Sequence, residues 1–196
     1  MNRHVWTIPL LLCVLSASVT SCTSASRPTL PKAICGTQID PKLTRPLVDS
    51  ATDLHEFSRV DRSQAISAPC SLLSGDEEIA NLHFWWADGP VDFTYMTQNA
   101  GSASRVSSAR DISFKYKAAV GTDGAIAASP CKTHGGNYFT LTLQLPRIEL
   151  GDQSHRKDIE AFMRAYFPAT LRTLGCERPG AAGEDGLSRG PERGQR

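Results

Sequence analysis

The sequence lacks a dominant charge. It has 21 Lys plus Arg against 20 Asp plus Glu in 196 residues. No basic field marks a nucleic-acid binder, and no acidic field suggests a polycationic partner. The surplus cation is Arg3; residues 22–176 hold sixteen residues of each sign and the last twenty hold four of each. Long apolar runs are missing as well. The longest stretch, about a dozen residues around Ile8–Leu15, contains Pro9 and falls short of the roughly 20 residues that a spanning helix needs. There is no CxxC pair, which argues against a thiol oxidoreductase and against a zinc ribbon. The H-E-x-x-H and Walker patterns are absent. Gly135-Gly136 precedes a strand pattern instead of opening a helix, so it reads as a turn and not as a phosphate cradle. His55, His83, His134 and His155 never share one face of one element, so no local metal pair exists. The sequence therefore assigns no catalytic residue, no metal ligand and no cofactor, and it contains no internal repeat.

What is present starts at the N-terminus. Arg3, the short apolar stretch and the small residues Ser16, Ala17 and Ser18 have the layout of a secretory signal. It closes on Val19-Thr20-Ser21-Cys22, which resembles the lipobox of bacterial lipoproteins, with Thr20 and Ser21 where Ala and Gly are commoner. That resemblance implies cleavage before Cys22, diacylglycerylation of its thiol, palmitate-type acylation of the new amine, and anchoring at the outer face of the cell membrane. Two acyl chains hold where one gives only marginal binding. The alternative is an ordinary secretory signal with a coincidental cysteine. Once residues 1–21 leave, Cys13 goes with them and Cys22 is lipidated. Cys35, Cys70, Cys131 and Cys176 then remain, an even number in an exported chain, which reads as two disulfides with three possible connectivities.

Composition divides the mature chain. Residues 22–33 form a tether rich in Ser, Thr and Pro. Residues 34–176 form one domain, and residues 177–196, with five Gly, two Pro and a single apolar Leu among charges, form a disordered tail. Within the domain, Ile159, Phe162, Met163, Tyr166, Phe167 and Leu174 recur at helical spacing after Asp152 or Ser154 as cap, with Pro168 expected to kink the helix and Gly175 to end it. Asn137–Leu145 alternates as a half-buried strand. Further strands are expected at Ile79–Trp86, Val91–Met96, Ile112–Val120 and Ala125–Ala128, and a second helix over Leu47–Ile66. Short spacings favour antiparallel pairing. The fold class is α+β: a mostly antiparallel sheet with the C-terminal helix packed on it. A nine-residue strand spans about 30 Å, and a 21-residue helix about 32 Å. A helix folding back along that strand returns Cys176 to Cys131, leaving Cys35 to pair with Cys70.

The most unusual local run is His83-Phe84-Trp85-Trp86. On a strand, Leu82, Phe84 and Trp86 share one face, while His83 and Trp85 share the other. An outer Trp85 with His83 suits a sugar, a peptide or a partner surface; the plainer alternative is that a helix covers that face. With Cys22, the segments Ile34-Cys35-Gly36-Thr37, Ala68-Pro69-Cys70, Pro130-Cys131-Lys132 and Leu174-Gly175-Cys176 resemble small, uncharacterised secreted lipoproteins of actinobacteria, the streptomycete type in particular. The resemblance implies a membrane-tethered extracytoplasmic domain and carries over no active site. The expectation is a non-catalytic binding or accessory module of the cell envelope, its ligand or protein partner undefined. The alternative is an envelope hydrolase with an unmarked Ser, His and Asp site.

Overall fold

Seven stretches that can hydrogen-bond side by side form one antiparallel sheet. The computed structural model describes residues 30–48, 51, 53–60, 67–98 and 106–176. The signal, Cys22, most of the tether and the 177–196 tail lie outside the described residues. In chain order the elements are β1 (Ala33–Ile34), β2 (Thr37–Gln38), α1 (Pro41–Thr44), a 3-10 turn (Arg45–Leu47), β3 (Leu54–Ser58), β4 (Ser67–Ser74), β5 (Glu77–Ala87), α2 (Phe93–Gln98), β6 (Arg110–Asp111), β7 (Lys117–Val120), β8 (Gly124–Thr133), β9 (Gly136–Gln144) and α3 (Arg156–Thr173). The sheet order is β3-β4-β5-β9-β8-β7-β6, and β1 with β2 forms a separate hairpin. The α+β class, the antiparallel sheet and the C-terminal helix expected from the sequence are all present.

Alternation sorts the sheet into two faces. Leu82, Leu143 and Ala125 stand in one row; Ala68, Phe84, Leu141, Ala127 and Ala118 stand in the next. All are buried and belong to the main core. Onto this first face α3 lays Ile159, Phe162, Met163, Tyr166, Phe167, Thr170 and Leu171, a stripe at helical spacing in which every side chain is buried. Each large apolar member contributes about 1.5–3 kcal/mol by leaving water. Phe167 stacks on Phe139 with centroids 5.9 Å apart, and Phe139 meets Trp86 at 5.3 Å. The β1–β2 hairpin closes the core: Tyr166 donates its hydroxyl to the Ile34 carbonyl at 2.8 Å, and the Thr37 and Thr170 hydroxyls lie 3.2 Å apart. Leu30 is already buried in this core, ahead of the expected domain start at residue 34.

Both disulfides pair as the helix-return argument requires. Cys35 bonds to Cys70, with Cα atoms 6.0 Å apart, and Cys131 bonds to Cys176, with Cα atoms 5.1 Å apart. Gly175, at φ +78, ends α3. The Gly175 N–H bonds the Arg172 carbonyl and the Cys176 N–H bonds the Leu171 carbonyl, the two bonds of a Schellman motif. The turn swings Cys176 back toward β8.

Several local expectations are corrected. Leu47–Ile66 is not a helix. Asp53 at φ +53 breaks any helical path, and Leu54–Ser58 instead satisfies its backbone along β4; residues 49–50, 52 and 61–66 of that segment lie outside the described residues. Val91–Met96 is not a strand. Asp92 accepts from the N–H groups of Thr94 at 2.8 Å and Tyr95 at 3.3 Å, the bonds an N-cap makes, and so starts α2. Ile112–Val120 is strand only at Lys117–Val120, because the chain reverses: Arg110–Asp111 pairs back on Ala119–Val120, and the Ile112 N–H bonds the Ala118 carbonyl. β8 is longer than Ala125–Ala128. β4 and the β1–β2 hairpin have no counterpart in the sequence reading. α3 runs through Pro168 to Thr173, ahead of Gly175 as expected, but neither Asp152 nor Ser154 caps it. The N-cap position is His155, without a side-chain bond, while Asp152 binds the Ser154 N–H at 2.8 Å one turn earlier.

Gly124 tests the register of the sheet centre. It faces Gln144 across the β8–β9 ladder, and a Cβ there would fall on the Leu143 carbonyl oxygen. Gly89 opens onto free space. Gly124→Ala should destabilise the fold by about 1–3 kcal/mol through overpacking, and Gly89→Ala by much less. Denaturant midpoints measure both; equal small effects would show that the β8–β9 contact is not as described.

Candidate functional site

The second face of the sheet carries the two residues that the sequence singles out. Because Leu82, Phe84 and Trp86 point toward α3, His83 and Trp85 point the other way. His83 stands opposite Thr142, and Thr142 opposite Ile126. Trp85 stands opposite Thr140, Thr140 opposite Ala128, and Ala128 opposite Lys117. Two parallel rows of side chains therefore cross β5, β9, β8 and β7.

The six-residue helix α2 lies over these rows. Phe93 and Met96, three apart on its inner side, pack with Ala119, Ile126 and Ala128, and with the half-buried Trp85 and Val91. Trp85 is thus covered by a helix, the plainer of the two arrangements weighed from the sequence. The sequence reading missed α2 because Val91, Phe93 and Tyr95 also alternate as a strand would; the signal that could have found it is Asp92, a capping residue just before an apolar pair at helical spacing.

Polar and aromatic groups meet on this face. The His83 ring meets the edge of Trp85 with centroids 4.4 Å apart, and burial pushes the His83 imidazole below its ordinary value of 6.5. Neutral imidazole offers one donor and one acceptor. Trp85 Nε1 and Thr142 Oγ1 are buried with no hydrogen-bond partner among the described residues. An indole N–H, a hydroxyl and a neutral imidazole thus lie side by side beneath an apolar cover.

Elsewhere the chemical groups have structural explanations. His55 and His134 are exposed on β3 and on the β8–β9 turn, and His155 starts α3, so the four histidines of the domain sit on separate elements. Among the described residues, Cys35, Glu56 and Cys70 are the group of ligand-type side chains close enough to share an ion, and its two sulfurs are joined in a disulfide. Glu56 Oε2 accepts there from the Cys35 N–H at 2.6 Å. Ser154, Asp152 and His155 come together ahead of α3, but in the wrong order for nucleophile activation. The Ser154 hydroxyl donates to Asp152 Oδ2 at 2.9 Å, and His155 Nε2 is 3.9 Å from that same oxygen. A triad needs the serine on the imidazole and the imidazole on the acid. Bonds from the Ser154 N–H and then its hydroxyl hold the Asp152 carboxyl below its ordinary value.

Comparison with known proteins leaves this geometry to be interpreted alone: no family model matches the chain, and no curated protein or solved structure is significantly similar to it.

The lowered pKa of His83 has a stability consequence. The unfolded chain takes up the proton near 6.5 and the folded protein only at lower pH. The stabilisation is therefore complete above 6.5 and is lost as pH falls through the folded value. Histidine-resolved NMR titration should place His83 below 6.5, and the denaturant midpoint should fall between about pH 7 and about pH 5.5 in the window where histidine titrates. His83→Asn should flatten that fall; an unchanged slope in the variant would assign the pH dependence to other groups.

Proposed function

We propose that the chain is a lipid-anchored extracytoplasmic protein whose domain serves the cell envelope as a binding or accessory module and not as a catalyst. The observation that carries the reading is the conjunction of Val19-Thr20-Ser21-Cys22, which resembles a lipobox, with a domain whose four remaining cysteines are all joined in two disulfides. Disulfides of this kind persist in exported proteins and are rare in the cytosol of most organisms. Acylated Cys22 supplies the membrane partner. No helix among the described residues is long and apolar enough to cross a membrane; the attachment proposed is the lipid on Cys22. The non-catalytic part of the reading is supported by the Ser154–Asp152–His155 geometry and by the hydrogen-bonding groups beside Trp85, which suit recognition.

Cys22→Ala tests the anchor. In the bacterial source the native protein should partition with membranes and take up a metabolically supplied palmitate analogue. The variant should lose the label and leave the detergent-extractable membrane fraction. Retention of the variant in that fraction without label would overturn the lipid anchor.

A further inference from the structure

A cavity of about 170 Å³ opens on the second face beyond the row that begins at Trp85. Its lining includes Val91, Tyr116, Lys117, Ala128, Pro130 and Tyr138. Ala128 and Lys117 end the Trp85 row, and Tyr138 faces Pro130 in the next row out. The cavity therefore continues the recognition face past the edge of α2, where Pro90 and Val91 lead into that helix.

Three properties limit what it can take. The first is size: a cavity of about 150 Å³ holds one benzene-sized molecule, whereas drug-sized ligands need about 300 Å³ or more. One ring fits, and an oligosaccharide does not. The second is the wall. Tyr138, Pro130, Val91 and Ala128 present apolar and flat surfaces. The third is charge. Lys117 Nζ lies 4.4 Å from the centre of the Phe93 ring, and no carboxylate of the described residues forms an ion pair with it. An ammonium held over an aromatic ring keeps its positive charge unneutralised, and it is available to an anion at the cavity mouth.

We infer that this cavity binds a small organic anion with a single-ring apolar body, an aromatic or alicyclic carboxylate, with the ring between Pro130, Tyr138 and Val91 and the carboxylate toward Lys117. The inference rests on the binding-module part of the reading above and names its ligand class; it is independent of the lipid anchor.

Benzoate is the probe and benzamide its neutral counterpart, followed by amide NMR shifts on the full chain. Benzoate should give saturable shifts at Lys117, Ala128, Ser129 and Tyr138. Benzamide should bind about threefold to tenfold more weakly, the range for losing one partly exposed charge interaction. Lys117→Met, which keeps the aliphatic stem, should remove that preference. Added salt should shrink the preference in the unmodified protein, a measurement that needs no variant to fold. Shifts that do not saturate or that map elsewhere would overturn the inference. So would equal affinity for benzoate and benzamide, or a preference insensitive to both salt and Lys117→Met. Since Cys22→Ala fractionation reads the anchor alone, an intact anchor without benzoate binding removes the cavity assignment and leaves the lipoprotein reading standing.

Discussion

The seating of α3 on the first face of the sheet is the contact on which the rest of the molecule depends. Seven buried side chains of one helix meet rows from β8 and β7 and the β1–β2 hairpin. Without that cover, Leu82, Phe84, Leu141 and Leu143 would line a wet surface. The polar side chains of α3 add direction to the apolar contact. Arg164 reaches the Ser113 carbonyl at 2.7 Å while bonding Glu160, and its guanidinium lies over the Phe114 ring at 5.3 Å. Arg156 reaches the carbonyls of Ser108 and Val120. The irregular chain on either side of β6 is thereby tied to the helix that it borders, and this is what lets a strand of two residues close the sheet edge.

Each disulfide fastens a peripheral element to the sheet: Cys35–Cys70 ties the β1–β2 hairpin to β4, and Cys131–Cys176 ties the end of α3 to β8. A crosslink of this kind limits the opening of the element that it holds. At Cys35 the backbone itself needs the help. The two turn residues of the β1–β2 hairpin, Cys35 and Gly36, have φ of +52 and +70. A two-residue hairpin favours such values, but a side chain other than that of glycine or asparagine is strained there. The bond to Cys70 and the Glu56 carboxylate on the Cys35 N–H hold it in place.

How much of this could be read from residues alone depended on whether a segment's own pattern or its neighbours decided its shape. α3 and β9 carry strong periodicity, and their partners only confirm it. The Cys131–Cys176 pairing followed from the two lengths together with an antiparallel return, since 18 helical residues and a strand of nine or ten span comparable distances. β3 and β4 were unreadable for the opposite reason. Ser-Ala-Pro-Cys-Ser-Leu-Leu-Ser has no clean alternation, and Leu54-His55-Glu56-Phe57-Ser58 leaves Phe57 nearly half exposed at 49%; only the edge of β5 makes a strand of β4, and only the edge of β4 makes one of β3. α2 failed differently, since six residues contain too few turns for a helical period to outweigh an alternating one. At the candidate site, His83 and Trp85 were assigned to the correct face by parity, but the cover over Trp85 depended on a helix that the sequence reading had taken for a strand.

The two faces of the sheet differ in how completely they are filled, and the proposed binding site rests on that difference. The first face meets an 18-residue helix and two large sets of interdigitating side chains, so it has no room for anything else. The second meets six residues of α2, whose inner side consists of Phe93 and Met96. A helix of about 9 Å at 1.5 Å per residue cannot cover rows that cross four strands spaced about 4.8 Å apart. What it leaves beyond its edge is a hollow between Tyr138, Pro130 and the lead-in Val91, with Lys117 at the boundary and its charge turned onto Phe93. Apolar packing that ends at a cation with no carboxylate partner among the described residues suits, on the proposed reading, a ligand with an apolar body and an anionic end. The sequence alone offered His83 and Trp85 as binding candidates; the proposed contact lies two strands and more along the Trp85 row, where the cover stops.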